Sequence, residues 1–242
     1  MEVKTDIDFV EHYGVYYGQR LIDFSVIRRS RRTLQISVLP DRTVEVTAPN
    51  DSTEEAIRER VQRRASWIVR QQNWFKQFDP RTPARFYVGG ETHLYLGRRY
   101  RLKITGDSEN GVRLVSGHFK VNSKNGTDPA CIQKLLEDWY RKQAVRIFNE
   151  IYDSCIERFE IRAVPRLQIK NMKTRWGSLS KGGVLTLNPQ LIRAPKECIE
   201  YVITHELCHL EEHNHGQRFY KLLESRMADW EKRKVRLEAG MV

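Results

Sequence analysis

The sequence predicts an α+β fold, with a β-rich first half and a mainly helical second half that contains a small sheet. In the first half, short segments rich in β-branched and apolar residues alternate with turns that contain glycine or proline. From Cys131 onward, apolar residues recur with helical spacing over long stretches. The chain has 242 residues, of which 40% are hydrophobic, and this is enough to bury a sizeable core.

Three strands and one helix are predicted first. The strands, which we expect to form an antiparallel meander, are residues 21–27, 34–39 and 43–48. Ser52 or Thr53 then caps a helix that runs to about Phe75 and has an arginine-rich outer face. Residues 1–17 precede these elements and are predicted to be an N-terminal extension.

A second set of short strands follows a predicted loop at residues 79–83. These strands are separated by glycines and comprise residues 86–88, 93–96, 100–104, 112–115 and 118–121. The polar segment 122–129 marks the clearest internal boundary, and no internal repeat is apparent. We therefore expect one domain over residues 18–240, with a β-rich part at 18–127 and a mainly helical part at 128–240.

The second half begins with a predicted amphipathic helix at residues 131–159. Two strands, at 166–170 and 184–187, are expected to form a hairpin-like pair around the polar turn 173–178.

The C-terminal part of the chain, from Pro195 onward, is predicted to be helical. Pro195 opens a helix that runs to about Glu212, where Asn214 and Gly216 are stop signals. Residues 219–227 and 230–237 are expected to form one or two closing helices.

The charge of the chain favours acidic partners. Lysine and arginine exceed aspartate and glutamate to give a net charge of +11, and many of the arginines lie in the first half. Nucleic acid is therefore a candidate partner, with a solvated basic face as the commoner alternative.

The sequence also bears on the compartment. No segment has the ~18 apolar residues that a membrane span requires, and the N-terminus lacks the basic-then-apolar order of a secretory signal. We therefore expect a cytoplasmic protein with no membrane partner. The four cysteines are dispersed without a CxxC pair, so they indicate neither a disulfide framework nor a thiolate zinc finger, and we expect them to be buried.

The segment His205-Glu206-Leu207-Cys208-His209 is the most informative part of the sequence. It forms an H-E-x-x-H pattern inside a predicted helix. Residues four apart on a helix share a face, so both imidazoles can bind one zinc ion at about 2.0–2.1 Å. A carboxylate beside the remaining coordination position can take a proton from zinc-bound water. The pattern therefore indicates a zinc-dependent hydrolase with Glu206 as the general base.

A catalytic zinc usually has a third protein ligand, and three residues are candidates. His213 continues the four-residue spacing, but eight residues of helix rise about 12 Å, so it cannot share one ion with both earlier histidines. His215 lies just beyond the predicted end of the helix, where the chain can turn back to the metal, and it is the preferred ligand. Glu224 on the following helix is the alternative.

Together these motifs resemble those of the YgjP-like metallopeptidase family, whose relatives are the SprT-like and WLM zincins. The resemblance extends roughly over residues 18–237. Its most specific parts are K-T-R-W-G-S at 173–178 and H-E-L-C-H at 205–209, followed by N-H-G at 214–216 and by Phe219. It implies a zincin-like, metal-binding second half, with a catalytic Glu206 and three zinc ligands: His205, His209 and His215.

The resemblance also suggests how substrate binds. Residues 184–187 are similar to the edge strand that flanks the metal cleft in zincin-like folds, and such a strand can pair with an extended peptide. Arg175 and Trp176 precede this strand and are candidate substrate-binding residues, with packing of Trp176 into the core as the alternative. The chain has Leu179 where the family commonly has a cysteine, so no general catalytic role is implied for that position.

Three functions are compatible with these features. The first is a zinc peptidase that acts on a peptide or protein. The second is a metal-dependent hydrolase of phosphoanhydrides such as nucleotides, for which no Walker-type glycine loop is present. The third is a nucleic-acid-associated protein with a secondary zinc site and a phosphate-binding helix at residues 54–75. Glu206 argues against the third, because a closed structural zinc site has no use for it.

Overall fold

A computed structural model describes residues 10–39, 41–76, 85–106, 109–159, 161, 163–172 and 175–241. These residues form two compact units, one within residues 10–76 and the other within residues 85–241. The predicted loop at 79–83 lies outside the described residues, as do Lys173 and Thr174. Within the described ranges, no helix is both long and apolar enough to span a membrane.

The N-terminal unit is a four-stranded sheet packed against one long helix. Its elements are β1 (Val10–Tyr17), β2 (Arg20–Arg29), β3 (Gln35–Val38), β4 (Val44–Pro49) and α1 (Glu54–Lys76). Alternate strand residues face the helix, which buries Ile57, Val61, Ala65 and Ile68 at helical spacing. The side chain of Thr53 accepts a hydrogen bond from the N–H of Ala56 at 3.3 Å, as expected for an N-cap.

The strands of this unit do not form the predicted meander. Their order is β1-β2-β4-β3, and β2 pairs parallel with β4, so that β3 lies at an edge. β1 falls in the segment predicted to be an extension, and it pairs antiparallel with β2 over its whole length. The meander prediction was wrong because alternation identifies a strand but does not specify which strand it pairs with.

The C-terminal unit contains two sheets and several helices. Its elements are β5 (Thr92–Tyr95), β6 (Arg98–Gly106), β7 (Gly111–Val115), β8 (His118–Ser123), α2 (Pro129–Phe159), β9 (Arg166–Ile169), β10 (Gly177–Leu179), β11 (Val184–Leu187), a 3₁₀ helix (Pro189–Arg193), α3 (Lys196–Cys208), α4 (Gln217–Arg226) and α5 (Trp230–Met241). Four of the five predicted strands correspond to β5–β8, whereas residues 86–88 have no regular secondary structure.

Both units contain the same arrangement of four strands followed by a long helix. The second sheet has the order β5-β6-β8-β7, again with a parallel central pair and antiparallel outer pairs. The spacing also agrees, because the buried Ala48 precedes the buried Ile57 by as many residues as the buried Ser123 precedes Ile132. The chain therefore repeats a ββββα arrangement that its sequence does not reveal.

The small sheet beside α3 has the order β10-β11-β9. β11 pairs parallel with β9 and antiparallel with β10. The predicted hairpin of residues 166–170 and 184–187 was therefore wrong. Residues 184–187 form the central strand, and the edges of this sheet are β10 and β9. With three residues, β10 is too short to show the alternation by which strands are recognised in a sequence.

Candidate metal centre

α3 presents His205, Glu206 and His209 to a pocket because its opposite side is held in the core. Ile199, Ile203 and Leu207 are almost completely buried among α2 and the neighbouring elements. Pro195 precedes the first turn, as predicted. The apolar stripe of α3 therefore determines which of its side chains face the pocket.

α3 ends four residues earlier than predicted. After Cys208 the N–H groups of His209 and Leu210 donate to carbonyls only three residues back, those of Glu206 and Leu207. This tighter 3₁₀-type bonding closes the helix and starts a turn. The turn leads to His215, which lies just before α4.

The three histidines preferred as ligands lie together. The Nε2 atom of His215 is 2.9 Å from Nε2 of His205 and 3.1 Å from Nε2 of His209. Zinc–nitrogen bonds of about 2.0–2.1 Å at tetrahedral angles place two nitrogens about 3.3 Å apart. The three side chains therefore fit as ligands of one zinc ion.

The protonation of these side chains is also suited to binding a cation. Burial, together with His215, His209 and Lys234, lowers the pKa of His205 to about 3. Burial, together with His209 and Lys234, lowers the pKa of His215. Both imidazoles are therefore neutral near pH 7, which is the form that coordinates metals.

Neighbouring groups orient the imidazole rings. The Nδ1 atom of His209 lies 2.9 Å from the carbonyl oxygen of Glu212, so it donates there and leaves Nε2 with its lone pair. The buried ring of Phe219 on α4 lies 4.7–4.9 Å from all three imidazole centroids. Nδ1 of His205 is buried and has no hydrogen-bond partner among the described residues.

Glu206 lies in the same pocket and is 9% exposed. Burial raises the pKa of its carboxyl group to about 7, although a hydrogen bond from the N–H of Leu179 and the charge of Arg175 act in the opposite direction. The contact from Leu179 comes from the main chain, so it does not depend on the side chain at that position. The main chain of β10 thus favours the charged form of the glutamate.

Gly177 allows β10 to approach α3 this closely. A Cβ atom at Gly177 would lie 2.9 Å from Cγ of Glu206 and 2.9 Å from Cγ1 of Val202. Both distances are shorter than carbon atoms tolerate without moving. The glycine of the K-T-R-W-G-S motif is therefore required by packing against the glutamate rather than by backbone conformation.

Asn188 holds the segment that leads into β10. Its side-chain N–H groups donate to the carbonyls of Met172 and Arg175 at 2.8 and 3.1 Å, and its main-chain N–H donates to the carbonyl of Trp176 at 2.8 Å. Asn188 is 5% exposed. It therefore fixes the backbone from which Arg175 and Trp176 project.

The pocket has a volume of about 900 Å³. One wall is β10 with the preceding Arg175 and Trp176, and another comes from α5 through Lys234 and Leu237. Trp176 lines the pocket and also packs against the core, which was the alternative to substrate binding. Arg175 is exposed at the rim.

Other candidates lie elsewhere or make different contacts. Glu224 is exposed and lines a separate depression with Trp230. His213 is exposed, and its Nδ1 bonds the carbonyl of His209. Cys208 is buried in the core, and burial raises the pKa of its thiol to about 12. The structure therefore brings together His205, His209, His215 and Glu206 but not Glu224.

Sequence reasoning did not identify four groups that shape the site. They are Gly177, Asn188, Phe219 and the main-chain N–H of Leu179. Gly177 and Phe219 lie in the most specific motifs, which is the signal that could have found them. Asn188 carries no comparable signal, because its role depends on contacts with residues distant in sequence.

Comparisons with known proteins add a family match. The sequence matches the family model described as YgjP-like, metallopeptidase domain, over residues 32–239. No functionally curated protein matches the chain. Among solved structures, the metallopeptidase zymogen jannalysin of Methanocaldococcus jannaschii is 26% identical, with a TM-score of 0.34, over 37% of this chain and 90% of that chain. The metallopeptidase zymogen abylysin of Pyrococcus abyssi is 22% identical, with a TM-score of 0.32, over 36% of this chain and 90% of that chain.

Proposed function

The chain belongs to the YgjP-like metallopeptidase family, and from this membership we propose that it is a zinc-dependent peptidase with Glu206 as its catalytic base. His205, His209 and His215 would hold the zinc ion. The observation that carries the proposal is the convergence of their three Nε2 atoms beside the buried carboxylate of Glu206. A closed structural site would leave no purpose for such a carboxylate.

Each group in the pocket has a distinct task in this proposal. A zinc ion held by the three histidines would supply Lewis acidity, which would polarise a carbonyl group and lower the pKa of water. Glu206 takes the proton of the attacking water on a carboxylate oxygen and returns it to the leaving amine. The N–H of Leu179 restricts the orientation of that carboxylate. Phe219 holds the imidazole rings in place.

The position of β10 at an edge of the small sheet supports an extended peptide as substrate. The main chain of Trp176 and Ser180 bonds to the β11 side, at Asn188 and Val184. Because partners alternate in an antiparallel pair, the N–H and C=O groups of Gly177 and Leu179 point away from β11. The N–H of Leu179 meets Glu206 in this direction, so the edge lies towards the pocket. A peptide added to this edge would place its carbonyl groups next to the catalytic glutamate.

We propose Arg175 and Trp176 as substrate-binding residues. Both line the pocket at the start of the edge strand, where a bound peptide would continue. The guanidinium of Arg175 would pair with a carbonyl or a carboxylate, and the exposed part of Trp176 would contact an apolar side chain.

A phosphoanhydride hydrolase that uses the same ion is the second candidate. Three cationic side chains line the pocket, those of Arg175, Lys181 and Lys234. They would hold the phosphates of a nucleotide beside the metal.

The first experiment compares zinc content and hydrolysis in the wild type and in Glu206→Gln, with quenched fluorescent peptides and nucleoside triphosphates as substrates. We expect about one zinc per chain in both proteins, and a loss of activity of about 10²-fold or more in Glu206→Gln. Peptide cleavage supports the peptidase, and release of phosphate or pyrophosphate supports the second candidate.

Two further variants test the ligands. His215→Ala should lose or weaken zinc binding, whereas Glu224→Gln, a matched carboxylate change outside the pocket, should leave zinc content and activity unchanged. The three-histidine site is rejected if Glu224→Gln loses the metal while His215→Ala keeps it. A Glu206→Gln protein that retains full hydrolysis would remove the proposed mechanism.

A further inference from the structure

A groove lies in the N-terminal unit between the edge strand β3 and α1. It has a volume of about 310 Å³ and is lined by Leu34, Ile36, Arg60, Arg64 and Trp67. The two aliphatic side chains and the indole are half-buried and pack against the core of the unit, whereas both arginines are exposed. This α1–β3 groove therefore combines an apolar and aromatic surface with two cations.

Arg60 and Arg64 form no ion pair with any residue that the structure describes. Elsewhere on α1, Arg58 bonds Glu54 at 2.6 Å and Arg63 lies 3.7 Å from Glu59. Among the described residues, no carboxylate lies within ion-pair distance of Arg60 or Arg64. Their charges are therefore available to a ligand in the groove.

The repeated ββββα arrangement shows that the fold does not need cations here. Counting from the equivalent residues Ile57 and Ile132, Arg60 takes the position of Leu135 in α2, and Arg64 takes that of Trp139. Leu135 and Trp139 pack against the core of the C-terminal unit. At these two positions the second arrangement thus has apolar side chains, whereas the first has arginines.

We propose that the α1–β3 groove binds single-stranded nucleic acid, with phosphates on Arg60 and Arg64 and a base against Trp67. Guanidinium groups pair with phosphate oxygens in a bidentate manner. Bases stack on aromatic side chains with little sequence preference. A single strand offers both groups in every nucleotide, whereas a duplex hides the faces of its bases. The net charge of +11 favours this polyanion over neutral partners.

The test measures binding of a fluorescently labelled 20-nucleotide single strand to the full chain at several salt concentrations. Arg60→Gln/Arg64→Gln should weaken binding about 10-fold or more. Its salt slope should fall by about 1.4, because each phosphate contact on a single strand contributes about 0.7. In the wild type the bound oligonucleotide should quench the fluorescence of Trp67. This contribution to the quenching should be absent in Trp67→Phe.

The matched control is Arg63→Gln/Arg70→Gln, which removes the same charge from exposed positions of α1 outside the groove. It should weaken binding no more than about 3-fold. Equal weakening in both double variants would overturn the proposal, because binding would then follow net charge alone.

Two competitors test the identity of the ligand. A duplex of the same length should bind more weakly than the single strand, and a poly-glutamate peptide should compete poorly. Tighter binding of the duplex, efficient competition by the peptide, or no binding of the single strand at micromolar protein would each overturn the proposal. Glu206→Gln should bind the oligonucleotide like the wild type, which separates this site from the metal centre.

Discussion

At the scale of single residues, the candidate site depends on groups that are not candidate metal ligands. The main chain of Leu179 in β10 favours the charged form of Glu206, and Gly177 leaves the space in which β10 approaches this side chain. Asn188 fixes the chain before β10, and Phe219 packs against three imidazole rings. The position of Glu206 thus depends on a strand as well as on its own helix.

Gly177→Ala tests this arrangement. The added Cβ atom would displace Glu206 or push β10 away from α3, so we expect activity to fall about 10- to 100-fold. Zinc content should be unchanged, because the change does not touch a histidine. Activity is measured on the substrate class identified with Glu206→Gln, and metal content by elemental analysis.

Gly111→Ala is the control for this change. It also adds a methyl group at a strand residue of the C-terminal unit, but its Cβ would meet no atom within 4 Å. Equal activity in Gly177→Ala and Gly111→Ala would show that close packing against Glu206 is unimportant.

At the scale of elements, the start of α3 is tied to the turn between β5 and β6. The N–H groups of Leu96 and Gly97 donate to the carbonyls of Ile192 and Arg193, at 3.0 and 2.9 Å. Gly97 has a φ of 76° and lies against Pro195, the residue that precedes α3. The second sheet therefore positions the helix that carries the candidate ligands His205 and His209.

Gly97→Ala should destabilise the protein by about 2–4 kcal/mol. Part of this is the cost of a positive φ for alanine, about 1–2 kcal/mol, and the rest comes from a Cβ atom 2.6 Å from Cγ of Pro195. The comparison is Gly117→Ala, which has the same φ of 76° but no atom within 4 Å. Urea unfolding measures both losses, and equal losses would mean that contact with Pro195 does not matter.

At the scale of the whole molecule, the two units have separate hydrophobic cores and carry different candidate functions. The histidine cluster and its pocket lie in the C-terminal unit, and the α1–β3 groove lies in the N-terminal unit. Each unit contains a ββββα arrangement, and in the second the chain continues into the small sheet and the helices of the candidate metal centre.

Removal of zinc should therefore affect the two units differently. A ligand that binds only the folded state stabilises it by about 2.7 kcal/mol at a hundred times its Kd. We expect a chelator to lower hydrogen-exchange protection in α3 and α4, while β2 and β4 keep theirs. His215→Ala with zinc present should match the chelated wild type, and loss of protection throughout β2 and β4 would contradict the separation of the cores.

Much of the secondary structure could be predicted from the sequence. The predicted helices at residues 54–75 and 131–159 correspond closely to α1 and α2, because capping residues and helical periodicity are local signals. Strand partners could not be predicted, and both the antiparallel meander and the hairpin were wrong. Pairing depends on contacts between residues that are distant in sequence.

By itself the sequence determined the chemistry that the family match supports, a metal-dependent hydrolase. H-E-x-x-H carries this information because residues four apart on one helix share a face whatever surrounds them. Only the tertiary structure decided that His215, rather than Glu224, lies against His205 and His209. It also decided that β10 is the edge strand that meets Glu206. These relations depend on where a chain turns and on which strands pair, and the spacing of residues along a helix does not specify either.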